Sequence, residues 1–285
     1  MSEEAPDSDS DSSDTLTVSP LVREGSLALG LVVLLLGSMW ISTGSFPPMV
    51  VVESGSMMHD EDGKIGVIDP GDLVLVINPA RKNVVTYVEA TDTNDDNFGY
   101  KSHGMYGDVI VFSKNGGTDT PVIHRALLKA VHNDTGGWDV PGTTLRGVDS
   151  INWTLEYSCV SYHGSVYELK IEDWVPSHEG YLTTGDNQDT NGCRIDQLSA
   201  TGQDGRNGLL DENNNPVTAV KDEWIIGIAS SEIPWIGAAK LFFSPPPSAD
   251  YVTSKTWTML GLVIASILII PSVVDATFPP KDEEE

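Results

Sequence analysis

The sequence predicts a mostly β domain carried between one N-terminal and one C-terminal transmembrane helix. Three observations predict it. Two long stretches carry no Asp, Glu, Lys or Arg, one from Ser26 to Val52 and one from Thr256 to Val274. Between them, short apolar and β-branched runs recur, separated by clusters of Gly, Pro, Asn and Asp. No helical pattern of about a dozen residues interrupts those runs.

Taken in order, residues 1–25 form an acidic leader. Glu3, Glu4, Asp7, Asp9, Asp11 and Asp14 sit among serines, a composition that stays solvated and disordered. Residues 26–47 are the first anchor, since about 20 mostly apolar residues span a bilayer. A cleaved signal peptide would begin with a basic segment, and here only Arg23 precedes the apolar run. Residues 48–250 are the β domain. Its expected strands are Leu73–Ile77, Val84–Val88, Asp108–Phe112, Val122–Leu128, Ile151–Tyr157, Val166–Ile171, Gly180–Thr184 and Trp224–Ala229. Segments 89–105 and 187–222 are polar and rich in Gly, Asn and Asp, and are assigned as loops or insertions. Pro245-Pro246-Pro247 makes a stiff exit to the second helix, 256–274, and 275–285 is an acidic tail. Two spans put both tails on one side of the membrane, cytoplasmic here, and the β domain on the exoplasmic face. The charge signal for that orientation is weak, because Arg23 and Lys281 on one side face Lys240 and Lys255 on the other.

The chain has 285 residues and a net charge of −26, from 42 acidic and 16 basic residues. That balance argues against a nucleic-acid partner. Beyond the tails the acidity is spread through the middle, as in proteins kept soluble in salt-rich surroundings. Two cysteines, Cys159 and Cys193, pair in an oxidising exterior or remain two thiols. Asn133-Asp134-Thr135 and Asn152-Trp153-Thr154 fit the N-glycosylation pattern, weak support for an outside location.

The chemistry centres on Glu53-Ser54-Gly55-Ser56-Met57-Met58, directly after the first anchor. Two hydroxyls flank a glycine, where backbone approaches a substrate closely. Downstream come Asp69-Pro70-Gly71-Asp72 entering a strand, Gly107-Asp108-Val109 entering another, Val122-Ile123-His124-Arg125-Ala126, and Thr183-Thr184-Gly185-Asp186-Asn187. Together these boxes, from Val50 to about Asp196, resemble a type I signal peptidase of the archaeal and endoplasmic-reticulum branch. The resemblance implies a signal-peptidase-like fold of antiparallel sheets and a membrane-bound serine endopeptidase that removes signal peptides from exported preproteins. Ser56 then matches the nucleophile and Ser54 a hydroxyl that supports the oxyanion. His124 matches the general base, a lysine in bacterial members. Asp186 matches the Gly-Asp-Asn aspartate, and Asp196 is the candidate for a second, later one. The pattern favours Asp196 as partner of His124, with Asp186 supporting the turn and Asp189 a distant third.

The residue types suit one another. A serine hydroxyl needs an adjacent base. Histidine serves near neutral pH, and a carboxylate on its other nitrogen sets the tautomer. A lysine beside carboxylates would stay protonated instead. No cofactor is implied and no metal site is expected, since no pair of histidines has ligand spacing on a helix. Asn187–Gly192 resembles half of a calcium loop, but Leu198 stands where its last Glu belongs. The sequence departs from the family at His59, where a proline is usual, and in the expanded loop after Asn187. The implied partners are signal peptides of exported preproteins, the lipid bilayer and the protein translocation channel. Two rival readings are a dedicated membrane peptidase for a narrow set of surface precursors and a non-catalytic, calcium-binding surface protein on the same scaffold.

Overall fold

The computed structural model describes residues 19–60, 64–157, 168–191, 194–244 and 248–277. The acidic leader up to residue 18, the tail beyond 277 and both cysteines lie outside them.

The first element is α1 (Pro20–Thr43), and local chemistry sets both of its ends. The Ser19 side chain accepts a hydrogen bond from Val22 N, and Pro20 opens the first turn. Gly44 closes the helix in the left-handed conformation, φ 71°. The helix therefore starts earlier and stops earlier than the expected anchor, 26–47. Arg81, from the β domain, donates to the free carbonyl of Ser42 (3.0 Å) at this end. At about 1.5 Å per residue α1 reaches roughly 36 Å, and none of its apolar window is buried. Its stretch Val22–Thr43 is long and apolar enough to cross a membrane.

Next come β1 (Met49–Val51) and β2 (Leu73–Ile77), paired antiparallel. The strand expected over 84–88 does not form. Thr86 instead caps a short helix, α2 (Tyr87–Thr91), in a capping box with Glu89, so local hydrogen bonding overrides the apolar run. The hairpin of β3 (Lys101–Ser102) and β4 (Met105–Tyr106) follows, then β5 (Val109–Phe112) and the long β6 (Val122–His132), against whose far end β7 (Trp138–Asp139) pairs. A separate ribbon joins β8 (Ile151–Leu155) to β9 (Leu169–Trp174). β10 (Gly180–Thr184), the one-turn α3 (Gln188–Asn191) and β11 (Ile225–Ile233) complete the domain; α4 (Ala238–Phe242) leads toward α5 (Ser254–Thr277). Within α5, Ser254–Ile270 is a shorter apolar helix.

The main sheet is antiparallel throughout, in the order β1-β2-β11-β5-β6-β10. β6 is buried continuously from His124 to Leu128, because the sheet is covered on both faces there. One cluster holds Ile110, Phe112, Ala126 and Ile228; another holds Leu127, Leu128, Leu155 and Trp174. In so apolar a setting, buried His124 and Arg125 stand out. Just beyond them along β6 the β6–β10 register slips. Leu182 pairs with Leu128 and Thr183 with Ala126, which leaves Leu127 as the extra residue of a bulge.

Candidate active site

The loop carrying Ser56 leaves β1 and is pinned from beneath. Met57 is buried with Val52, Ile68, Val74, Val109 and Ala229, so apolar burial fixes the backbone next to the serine. From the side, the Asn187 backbone N–H donates to Ser56 O (2.9 Å), and its side-chain amide donates to Gly55 O (2.6 Å). Ser54 Oγ lies 3.3 Å from Ser56 Oγ. Ser56 itself is only half-buried.

His124, on β6, meets Asp196. Nδ1 lies 2.7 Å from Asp196 Oδ2, and both residues are 7% exposed. The same oxygen accepts a hydrogen bond from Thr183 Oγ1 (2.6 Å), and Asp196 N donates to Thr183 O (2.9 Å). Gln197 secures Thr183 in turn, accepting from its backbone N–H (2.9 Å) and donating to its hydroxyl (3.2 Å). An ionised carboxylate only accepts, so Nδ1 carries the hydrogen, and in the neutral ring Nε2 is the nitrogen with the lone pair.

His124, Ser54 and Ser56 line one cleft of about 760 Å³. Its walls are largely apolar: Met49, Val50 and Val51 of β1, Val111 of β5, Val122 and Ile123 of β6, and Ile226 of β11. Sheet twist brings β1 and β6, four places apart in the strand order, to the same cleft. An ion pair between Lys240 and Glu53 (3.0 Å) belongs to its lining.

Asp186 lies elsewhere. Its carboxylate takes Arg125 Nε (2.9 Å) and Nη2 (2.6 Å), together with the Tyr157 hydroxyl. All three residues are essentially inaccessible to solvent. Arg125 Nη1 also donates to the carbonyls of Gly107 (2.7 Å) and Ser102 (3.1 Å). Burial by itself would raise the Asp186 carboxyl, but the Arg125 guanidinium outweighs it and holds the group below its ordinary range. Burial likewise pushes the Tyr157 phenol well up, so it remains a donor. The candidate catalytic set thus divides. Ser54, Ser56 and His124 line the cleft, with Asp196 bound to His124, whereas Asp186 belongs to a buried lock. Asp189 is exposed at the start of α3.

Several contributors are not apparent from sequence reading. Arg125 stands beside the histidine and Asn187 beside Asp186, so their boxes signal them. Thr183 opens that same box, whereas Gln197 and Tyr157 carry no such sign; those two matter only through contacts between distant segments. No family model matches the chain, and neither a curated protein nor a solved structure matches it.

Proposed function

We propose that the protein is a membrane-bound serine endopeptidase that removes signal peptides from exported preproteins. One observation carries the reading: a buried, carboxylate-bound histidine and a serine held by backbone hydrogen bonds line a single apolar cleft. In this reaction Ser56 Oγ attacks the scissile carbonyl as His124 Nε2 takes its proton. Asp196 stabilises the imidazolium that results. Ser54 and the backbone N–H of Ser56 hold the oxyanion. β1 ends the strand order, so its outer edge accepts an extended substrate as an added strand. The small apolar residues of a cleavage site suit the Val-rich walls beside it.

α1 holds the cleft at the membrane surface, where a cleavage site emerges. α5 serves as a second span, with both tails cytoplasmic and the β domain exoplasmic. The acidic surface leaves nucleic acid out of the partner set; signal peptides, the bilayer and the translocation channel compose it. The test is incubation of the detergent-solubilised protein with unrelated preproteins, followed by N-terminal sequencing of the products. Cleavage after the signal peptides, lost by about 10⁶ in kcat in Ser56→Ala, is the expected outcome. Wild-type activity in a purified Ser56→Ala protein would sink the assignment. Cleavage of only one precursor class would instead favour a dedicated peptidase for surface precursors.

A further inference from the structure

The three carbonyls around the candidate nucleophile all accept hydrogen bonds. Gly55 O and Ser56 O are bound by Asn187. Met57 O is bound by His59, whose Nδ1 lies 3.2 Å from it. The same Nδ1 stands 3.6 Å from Asp186 Oδ2, and the His59 side chain is 9% exposed. Both neighbours of this nitrogen are acceptors, so it carries the hydrogen whichever charge the ring bears. The imidazole is also confined on its far edge: a Cβ placed on Gly104, in the β3–β4 turn, would lie 3.0 Å from Nε2. The neighbouring His103 is turned to Glu232 (3.0 Å). Among the described residues, His59 faces Asp186, to which Arg125 and Tyr157 are bonded, its own loop carbonyl, and the hairpin at Gly104.

We infer that His59 is a positioning residue for Ser56: its Nδ1–H bonds Met57 O and closes the nucleophile loop, while the ring packs against Asp186 at the edge of the Asp186–Arg125 lock, completing the hold that Asn187 begins. The role rests on the peptidase reading, yet the clasp itself does not depend on turnover. Ser56 is only half-buried, and its loop is exposed to the cleft; fixing Met57 O limits the swing of the serine backbone. A reacting atom misplaced by about 1 Å costs on the order of 100-fold in rate. An asparagine at position 59 retains an N–H donor near the Nδ1 position, whereas alanine removes it.

The experiment compares His59→Ala, His59→Asn and Ser56→Ala in the full-length protein, by preprotein cleavage kinetics and by amide hydrogen exchange. His59→Ala should lower kcat by about 10- to 100-fold while KM stays within about twofold. The Met58 amide, which donates to Gly55 O, should exchange faster, with β10 unchanged. His59→Asn should restore both readouts to near wild type. Wild-type kcat or unchanged Met58 exchange in His59→Ala overturns the clasp. So does an equal rise in exchange across β10, because that reports general loosening. If Ser56→Ala stays active while Met58 exchange responds as expected, the peptidase reading fails and the clasp survives.

Discussion

His124 and Arg125 are consecutive on β6, and each binds an aspartate from the region after β10, yet the two pairs do different work. Successive strand residues project to opposite faces. His124 reaches the cleft wall and Asp196; Arg125 reaches Asp186 and the carbonyls of the β3–β4 hairpin. At the cleft, the carboxylate sets the orientation of a ring whose other nitrogen stays available. In the lock, the guanidinium is completely surrounded and nothing is left to react. A buried carboxylate is therefore functional or structural according to what its partner leaves free.

The largest expected effect breaks the first pair alone. Asp196→Asn should cut kcat by about 10⁴ by favouring the wrong imidazole tautomer, with a nearly unchanged unfolding midpoint. Near-normal cleavage beside an inactive, well-folded Asp186→Asn would reverse the two roles. The converse substitution acts on stability. Asp186→Asn leaves Arg125 buried without its counter-ion and should lower unfolding free energy by about 3–5 kcal/mol in denaturant titrations. The pair also predicts a pH window. The Asp186 carboxyl is held below its ordinary 3.8, so its stabilisation is complete above that value and is lost as pH falls through the lowered one. Acid unfolding of the wild type should contain this loss, and that of Asp186→Asn should not.

A third buried aspartate sharpens the contrast with the opposite sign. Asp72 accepts hydrogen bonds from Asp69 N (3.0 Å) and Trp235 N (2.9 Å). Burial outweighs these bonds and pushes its carboxyl up to about 6. The folded state then binds the proton more tightly than the unfolded chain, so stability falls as pH rises from about 4 to about 6. Over that window the stability of the wild type relative to Asp72→Asn should shrink, by at most about 3 kcal/mol, and stay flat on either side. A constant difference would show that backbone donors alone suffice to keep a buried carboxylate ionised here.

Much of this is legible in the sequence alone. The charge-free run Ser26–Val52 marks the anchor, while the ends of α1, set by Ser19-Pro20 and Gly44, both fall earlier than the expected 26–47. Leu73–Ile77 and Gly180–Thr184 form the strands that their apolar runs predict, with those bounds. The Ser56 and His124 boxes are equally local, because residue type and neighbours carry them. Val84–Val88 misled, since an apolar run does not reveal that Thr86 and Glu89 close a capping box.

By itself, the sequence determined the mostly β character and the N-terminal apolar helix, because hydrophobic patterns are written along the chain; from side-chain chemistry and neighbours it nominates Ser56 and His124 as candidate nucleophile and base. Tertiary structure alone decided which aspartate meets which partner. Asp186 and Asp196 lie ten positions apart; the Gly-Asp-Asn box marks the first and the family resemblance favours the second for His124, but neither contact is formed locally. The β6–β10 register with its bulge, the alternation of side chains across β6, and the Thr183–Gln197 bonds deliver one carboxylate to histidine and the other to arginine. These are contacts between segments far apart in the chain, and only folding brings them within hydrogen-bond range.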